Sequence, residues 1–231
     1  MLCSWFHRCI AVFALAISSG CATTDDPFEP FNRGVMTFND AADGAVLKPI
    51  ARGYRTFLPG FAQVGISNFY GNLQEPWTSV NQLLQGKPRF FVGDLGRFAV
   101  NTTVGIAGLF DVATSMGLEK HNEDFGQTLG VWGVPPGPFL MVPFWGPSTV
   151  RDGIGDVAGI WGWPPFYIDN SRARDLTYAM WIIKTRADYL EAEGLIRGDR
   201  YLFIRDAFLQ NREYQINDGP IFDDPFLAGD I

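Results

Sequence analysis

The sequence SRARDLTYAMWIIKTRADYLEAE, residues 171–193, carries the clearest helical pattern of the chain. Its apolar side chains recur at intervals of three or four residues and so fall on one face of a helix. The members of this stripe are Leu176, Met180, Ile183, Ala187 and Leu190. Asn170 or Ser171 can cap the start of the helix, and Gly194 can end it. A helix is therefore predicted over residues 171–193.

The same spacing recurs along the rest of the chain. Apolar stripes are formed by Phe31, Val35, Phe38 and Ala42, by Trp77, Val80, Leu83 and Leu84, and by Phe91, Leu95 and Phe98. The second of these stripes is predicted to start at Glu75-Pro76 and to stop at Gly86, and the third to start at Pro88. A last helix is predicted over residues 199–214. Because no sustained alternation of period two is present, we predict an all-α fold for residues 31–216.

Composition excludes several classes of protein. Of 231 residues, 47% are hydrophobic, 15% aromatic and only 19% charged, with a net charge of −7. Whole-chain disorder needs a less hydrophobic composition, and nucleic-acid binding needs a basic excess, so neither is expected. The three cysteines all lie within the first 21 residues, and there are two histidines. We therefore expect no metal site and no cofactor.

One segment departs from the helical pattern. Residues 126–166 contain nine Gly, seven Pro and only three charged residues. Four tryptophans lie in this segment, namely Trp132, Trp145, Trp161 and Trp163. Irregular backbone this apolar must pack either on the protein or at the headgroup level of a membrane, where Trp is favoured. We predict an irregular segment whose tryptophans form a membrane interface; a loop closing a helical core is the alternative.

The first 30 residues have the layout of a processed leader. A basic residue, a short apolar run and small residues precede Cys21, which is typical of a secretory signal peptide over residues 1–20. A cysteine at this place resembles the lipobox of bacterial lipoproteins, in which the thiol is acylated. Ordinary secretion with a free Cys21 is the alternative. Residues 21–30 then form a lipidated tether, and residues 217–231 an acidic, disordered tail.

The search for catalytic groups is negative. The string Gly153-Ile154-Gly155-Asp156-Val157-Ala158 matches a dinucleotide fingerprint but follows no predicted strand. His121 lies in a polar stretch and is expected to be a solvated surface residue. The adjacent pairs Arg151-Asp152 and Arg205-Asp206 are either ordinary ion pairs or polar groups at the mouth of a lipid passage.

Several blocks, in this order, resemble one family. They are Asp26-Pro27-Phe28-Glu29-Pro30-Phe31-Asn32-Arg33, Phe38-Asn39, Ser67-Asn68-Phe69-Tyr70-Gly71-Asn72-Leu73 with Glu75-Pro76, Arg97-Phe98-Ala99-Val100-Asn101-Thr102-Thr103, Gly108-Leu109-Phe110-Asp111-Val112-Ala113, Asp124-Phe125-Gly126-Gln127-Thr128-Leu129-Gly130 and Gly146-Pro147-Ser148-Thr149-Val150-Arg151-Asp152. Together they resemble the MlaA (VacJ) lipoproteins of Gram-negative outer membranes over about residues 25–216.

The resemblance implies a single ring-like helical domain in the periplasmic leaflet of the outer membrane, with an amphipathic channel. Such proteins associate with trimeric porins, remove mislocalised phospholipids from the outer leaflet and pass them to a soluble periplasmic carrier. No bond is made or broken, so no enzyme is expected. The family's Phe-Asn motif falls on Phe38 and Asn39 and implies a role in channel gating. Candidates for the polar channel rim are Asn101, Arg151, Asp152, Lys184 and Arg205.

Two other functions fit the same sequence. A structural lipoprotein could brace porins through the Trp-rich segment without moving lipid. A lipid hydrolase would need Ser67 and His121, and mutating both together tests it.

Lipidation at Cys21 gives the first testable prediction. Cys21→Ser should abolish acylation, and the variant should lack its lipid anchor and be impaired in outer-membrane function, because acyl chains are what anchor a lipoprotein. Intact mass measures acylation, and sorting to the outer membrane and the outer-membrane phenotype measure the rest. Normal acyl mass, sorting and phenotype in the variant would contradict lipidation at this residue.

Overall fold

The computed structural model describes residues 26–219, which are mostly helical. The helices are α1 (Glu29–Ala42), α2 (Lys48–Phe57), α3 (Gly60–Leu84), α4 (Pro88–Thr103), α5 (Val112–Ser115), α6 (Phe125–Val131), α7 (Val150–Gly162), α8 (Ser171–Asp188) and α9 (Arg200–Ile216). A π-helical turn joins α1 to α2, and short 3₁₀ turns precede and follow α8. The predicted signal peptide, Cys21 and all but the start of the predicted tail lie outside the described residues.

A small hairpin is the only sheet among the described residues. Strand β1 (Phe139–Val142) pairs antiparallel with β2 (Gly146–Thr149), so that Phe139 lies opposite Thr149 and Val142 opposite Gly146. The predicted all-α fold is confirmed, with this hairpin as an addition. Its strands have four residues each, too few to establish a period-two pattern in the sequence.

Side-chain caps fix where several helices begin. The caps of α5, α6, α7, α8 and α9 are Asp111, Asp124, Thr149, Asn170 and Asp199. Each accepts a hydrogen bond from a backbone N–H of the first turn, which would otherwise lack a partner. The Asn170 cap was predicted, whereas α8 ends at Asp188, five residues before the predicted end.

The packing contacts between elements form a closed circuit. From α1 the circuit runs through the π turn to α2, then α8, α3, α6, α9, β2 and β1, and β1 packs back against α1. This order brings the two ends of the domain together and agrees with a ring-like body.

Polar groups fill most of the interior. Among the described residues, eighteen polar or charged side chains are buried, against nine hydrophobic ones. The predicted stripes of α1, α3 and α4 turn outward in part: Phe31, Val80 and Leu95 are exposed, whereas Val35, Phe91 and Phe98 are partly buried. Fully buried positions on the same helices include Asn32 on α1 and Asp94 on α4. The periodicity predicted the helices correctly, but in these three helices part of the apolar face lies at the surface.

Two predictions that were based on proline and glycine are wrong. Glu75-Pro76 does not begin a helix, because Pro76 lies inside the continuous helix α3. Residues 126–131 and 150–162, predicted as parts of the irregular segment 126–166, form α6 and α7, and α7 does so despite four glycines. Thr149 caps this helix, its side chain accepting the N–H of Asp152 at 3.1 Å.

Close helix contact explains those glycines. A Cβ at Gly155 would lie 2.3 Å from the backbone nitrogen of Gly126, so α6 and α7 meet backbone to backbone. A Cβ at Gly162 would lie 2.1 Å from the ring of Trp77 on α3. Small residues at helix contacts are the usual means of close packing in membrane proteins.

The α6–α7 contact gives a prediction with a matched control. Gly155→Ala should destabilise the fold by about 1–3 kcal/mol, because the methyl group meets rigid backbone. Gly153→Ala, in the same helix, meets only Ser148 Oγ at 3.8 Å. It should be neutral or stabilise by roughly 0.5–1 kcal/mol through helix propensity. Denaturant unfolding in detergent measures both changes, and equal shifts would contradict the predicted contact.

Candidate functional site

The four predicted interface tryptophans are unequally exposed. Trp132, Trp145 and Trp161 are more than half exposed, while Trp163 is only partly exposed. The segment is therefore not a wholly buried core. The indole N–H of Trp132 donates to Leu84 O at 3.0 Å, and that of Trp145 donates to Asp156 Oδ2 at 3.1 Å. Paired N–H groups leave the apolar parts of the rings outermost.

Aromatic rings link the hairpin to the helices α8 and α3. The ring of Trp181 on α8 lies 6.2 Å from Trp145 and 5.5 Å from Trp163. Trp163 in turn stacks on Tyr70 of α3 at 6.4 Å. Asp156 of α7 lies beside this row, and burial raises its pKa. The row is thus an apolar wall with one carboxyl group at its edge.

A second apolar feature lies at the corner between α2 and α3. Phe57 is 84% and Phe61 82% exposed, and Val64 is also largely exposed. No charged residue lies between Phe57 and Val64 in the sequence. Aromatic side chains this exposed are unfavourable in water and favourable in contact with lipid or another protein.

Two asparagines of α1 hold the hairpin through the backbone of β1 and the residues after it. Asn32 donates to Phe139 O at 3.0 Å and accepts the N–H of Met141 at 2.8 Å. Asn39 donates to Val142 O at 3.0 Å and accepts the N–H of Phe144 at 2.8 Å. We call this pair the asparagine clamp. Each carboxamide satisfies one donor and one acceptor, as a neighbouring strand would.

The clamp holds a strained residue. Phe144, at the tip of the hairpin, has φ +62°, a conformation that costs a residue other than glycine about 1–3 kcal/mol. Its exposed ring packs edge-on against Phe38, with centroids 5.0 Å apart. The predicted motif Phe38-Asn39 thus contacts the hairpin tip through both of its side chains. Sequence reasoning did not find Asn32 or Phe144, although Asn32 and Asn39 lie seven residues apart on one helix face.

One buried network surrounds Arg97. Its guanidinium donates five hydrogen bonds, among them one to Glu75 Oε1 at 3.0 Å and two to Asp111 at 3.1 Å. Burial raises the pKa of Glu75, and Arg97 opposes that shift. Burial also acts to raise the pKa of Asp111, but hydrogen bonds from Thr114 and Asn101 and the charge of Arg97 lower it to about 2.

A second network surrounds Arg212 of α9. It donates to both carboxylate oxygens of Asp124, the cap of α6, and to Asp152 Oδ1 of α7 at 2.7 Å. Burial works against ionisation of Asp124, but Arg212 lowers its pKa below the usual range. Arg151 shares the same Asp152 oxygen at 3.2 Å. Three helices are thus joined through one guanidinium.

The five predicted rim residues fall into two groups. Asn101, Arg151 and Asp152 are buried and occupied by these networks, an environment different from the rim predicted for them. Lys184 and Arg205 are partly exposed; they pair with Asp188 at 2.8 Å and Asp206 at 2.9 Å.

His121 was predicted to be a solvated surface residue; it is only partly exposed and is paired with a buried carboxylate. Its Nδ1 lies 2.8 Å from Oδ1 of the fully buried Asp94, and Phe90 packs against its ring. Within residues 26–219, no group of three or more His, Cys, Asp and Glu side chains is arranged to hold a metal ion. The described helices also include none with the length and hydropathy needed to cross a bilayer.

Known proteins with similar sequences cover most of this chain. The lipoprotein MlaA of the intermembrane phospholipid transport system of Escherichia coli (strain K12) is 35% identical over 218 residues, covering 87% of this chain and 85% of that protein. The protein of the same name from Haemophilus influenzae is 30% identical, covering 91% of this chain and 90% of that protein.

A solved structure agrees with these relatives. That structure comes from a study of the structural basis for maintenance of bacterial outer membrane lipid asymmetry. It matches this chain with a TM-score of 0.73 and 36% sequence identity. The match covers 84% of this chain and 100% of that one. Residues 24–215 match the MlaA lipoprotein family itself. The chain therefore belongs to the MlaA lipoprotein family.

Proposed function

We propose that this chain removes mislocalised phospholipids from the outer leaflet of the outer membrane through an amphipathic channel. It then passes them to a soluble periplasmic lipid carrier, which maintains outer-membrane lipid asymmetry. Membership of the MlaA family supports the transport function, and relatives that cover most of the chain carry the name of a phospholipid transport lipoprotein.

The observation that best supports the proposal is a reversed polarity, in which polar side chains fill the interior and large apolar side chains lie at the surface. Buried positions hold Arg97, Glu75 and Arg212, while Phe57, Phe61 and Trp161 are exposed. Exposing apolar side chains of this size to water is unfavourable, whereas their contact with acyl chains carries no such free-energy cost. These charged groups are paired with one another or with other side chains, Glu75 with Arg97 and Arg212 with Asp124 and Asp152, and such internal pairing is what a lipid environment requires. Glu75 Oε2 and Arg212 Nε are buried without a hydrogen-bond partner. The body is therefore embedded in the periplasmic leaflet, with its tryptophans at the headgroup level.

The channel needs an apolar wall for acyl tails and polar groups for the headgroup. The row of rings from Trp145 to Tyr70 supplies the wall, and Lys184 and Arg205 supply cationic groups at the rim. No proton transfer is required, so the protein acts as a conduit and not as an enzyme.

Cys21 carries the lipid anchor, and the outward apolar surface, including the corner at Phe57 and Phe61, contacts lipid and trimeric porins. A lipid-extraction assay tests transport directly. Outer-leaflet phospholipid that is unchanged on deletion of the chain would instead favour a structural lipoprotein bracing porins.

The apolar corner gives a test of membrane embedding. Phe57→Ser with Phe61→Ser should lower partitioning into vesicles at least about tenfold, because each buried Phe contributes about 1.5–3 kcal/mol. The test uses the Cys21→Ser background, so that acyl anchoring does not mask the effect. Vesicle co-sedimentation with matched lipid concentrations gives the partition coefficient.

A second pair of aromatic residues serves as the control. Phe203→Ser with Tyr214→Ser removes two exposed aromatic side chains from α9, whose sequence is rich in charged residues. This control should partition as the parent does. Equal losses in both double variants would contradict a membrane contact centred on the corner.

The asparagine clamp gives a test of gating. Asn39→Asp keeps the acceptor for the N–H of Phe144 but places a carboxylate against Val142 O. A buried group that loses its partner costs roughly 1–3 kcal/mol, so the hairpin should open more often. Hydrogen exchange at residues 139–149 should accelerate about tenfold or more, and the outer-leaflet phospholipid content should change with it.

The neighbouring Thr37 offers the matched control. Its hydroxyl bonds only to Arg33 O of its own helix, so Thr37→Ala should leave hairpin exchange unchanged. If hairpin exchange in Asn39→Asp matched that of Thr37→Ala, the clamp would not hold the hairpin closed, which would contradict the proposed gating role of Asn39.

A further inference from the structure

A cleft beside α8 has the chemistry of an amphiphile site. It measures 540 Å³, within the usual range for ligand pockets, and is lined by Phe166, Arg174, Asp175, Tyr178, Ala179 and Ile182. The α8 residues of the lining recur at intervals that place them on one helix face. Most of the lining is apolar, with one cation and one anion at adjacent positions.

The charged pair in this cleft is loosely held. Arg174 Nε lies 3.6 Å from Asp175 Oδ1, and both side chains are well exposed. An ion pair of this kind contributes little in water, so a ligand can separate it at small cost. A ligand that carries its own anion and cation would satisfy both side chains at once. Arginine suits a phosphate oxygen, and a carboxylate suits an ammonium group.

The cleft is also continuous with the aromatic surface. Phe166 forms part of its wall and packs against Trp161 and Tyr167, with centroids 5.9 and 5.6 Å away. Trp161 and Tyr167 are exposed, as is Leu176 on α8. Tryptophan and tyrosine concentrate at the headgroup depth of a membrane, which is the depth at which a lipid phosphate lies.

We propose that this cleft binds the headgroup of a zwitterionic phospholipid that carries a primary ammonium group. Its phosphate contacts Arg174, its ammonium contacts Asp175, and an acyl chain lies along Phe166, Ala179 and Ile182. The inference rests on the proposed transport function and adds a headgroup preference to it. The charge pair selects against an anionic phospholipid, because such a ligand would leave Asp175 facing negative charge.

The test compares two phospholipids on the full-length protein in detergent. Native mass spectrometry measures the binding of dioleoyl-phosphatidylethanolamine and dioleoyl-phosphatidylglycerol in separate titrations. Arg174→Gln should weaken binding of both lipids about tenfold, because a hydrogen bond to a charged group is lost. Asp175→Asn should weaken only the ethanolamine lipid, by a similar factor, and so remove the preference between the two.

Arg172→Gln is the matched control. Arg172 is an exposed arginine on the same helix that does not line the cleft, and its substitution should change neither affinity. Inorganic phosphate at millimolar concentration should fail to displace the lipid; displacement would reduce the site to a free-phosphate site and overturn the proposal. An unchanged lipid preference in Asp175→Asn would overturn it as well.

The outcomes separate this site from the proposed function. If the wild-type chain extracts phospholipid from membranes while Arg174→Gln and Asp175→Asn bind both lipids normally, the cleft proposal fails and the transport function stands. If the wild-type chain extracts no phospholipid at all, both fail.

Discussion

Arg97 and Arg212 bury their guanidinium groups inside the protein, and the partners these groups require determine how the surrounding helices face. Removing a charged group from water costs several kcal/mol, and only partners with good geometry offset it. Arg97 therefore fixes Glu75 on α3 and the Asp111 cap of α5, while Arg212 fixes the cap of α6 and Asp152 on α7. Helices that turn these groups inward must turn their apolar stripes outward. The reversed polarity of the molecule is thus a consequence of how its charges are satisfied.

An outward apolar surface changes what holds the helices together. Where the surrounding medium is as apolar as the side chains, packing and hydrogen bonding drive helix association and the hydrophobic effect does not. The α6–α7 contact follows this rule: Gly126 and Gly155 allow the backbones to touch, and Asp152 meets Arg212 beside them. The ring of Trp77 likewise packs directly against Gly162, because glycine has no side chain to separate α3 from α7.

Local patterns predicted the helices well because periodicity and capping are properties of neighbouring residues. The stripe from Leu176 to Ala187 and the cap at Asn170 are examples, and Gly86 has the positive φ expected of a helix stop. The direction in which a stripe faces is not local, since it depends on whether water or lipid lies outside. The glycines of α7 misled for a related reason: the groups that Gly155 and Gly162 contact, Gly126 and Trp77, come from other helices.

The clamp illustrates the same limit at the candidate site. Phe38 and Asn39 could be singled out from a family motif, but their contacts, Val142 and Phe144, lie more than a hundred residues away. Only the fold reveals that Asn39 satisfies the backbone on both sides of the hairpin tip, where Phe144 stores strain. A strained residue persists only where its surroundings over-determine it. Loss of the clamp would therefore release strain as well as two hydrogen bonds. The hairpin thus suits the proposed gate, because a permanently open lipid path would let phospholipid equilibrate between compartments.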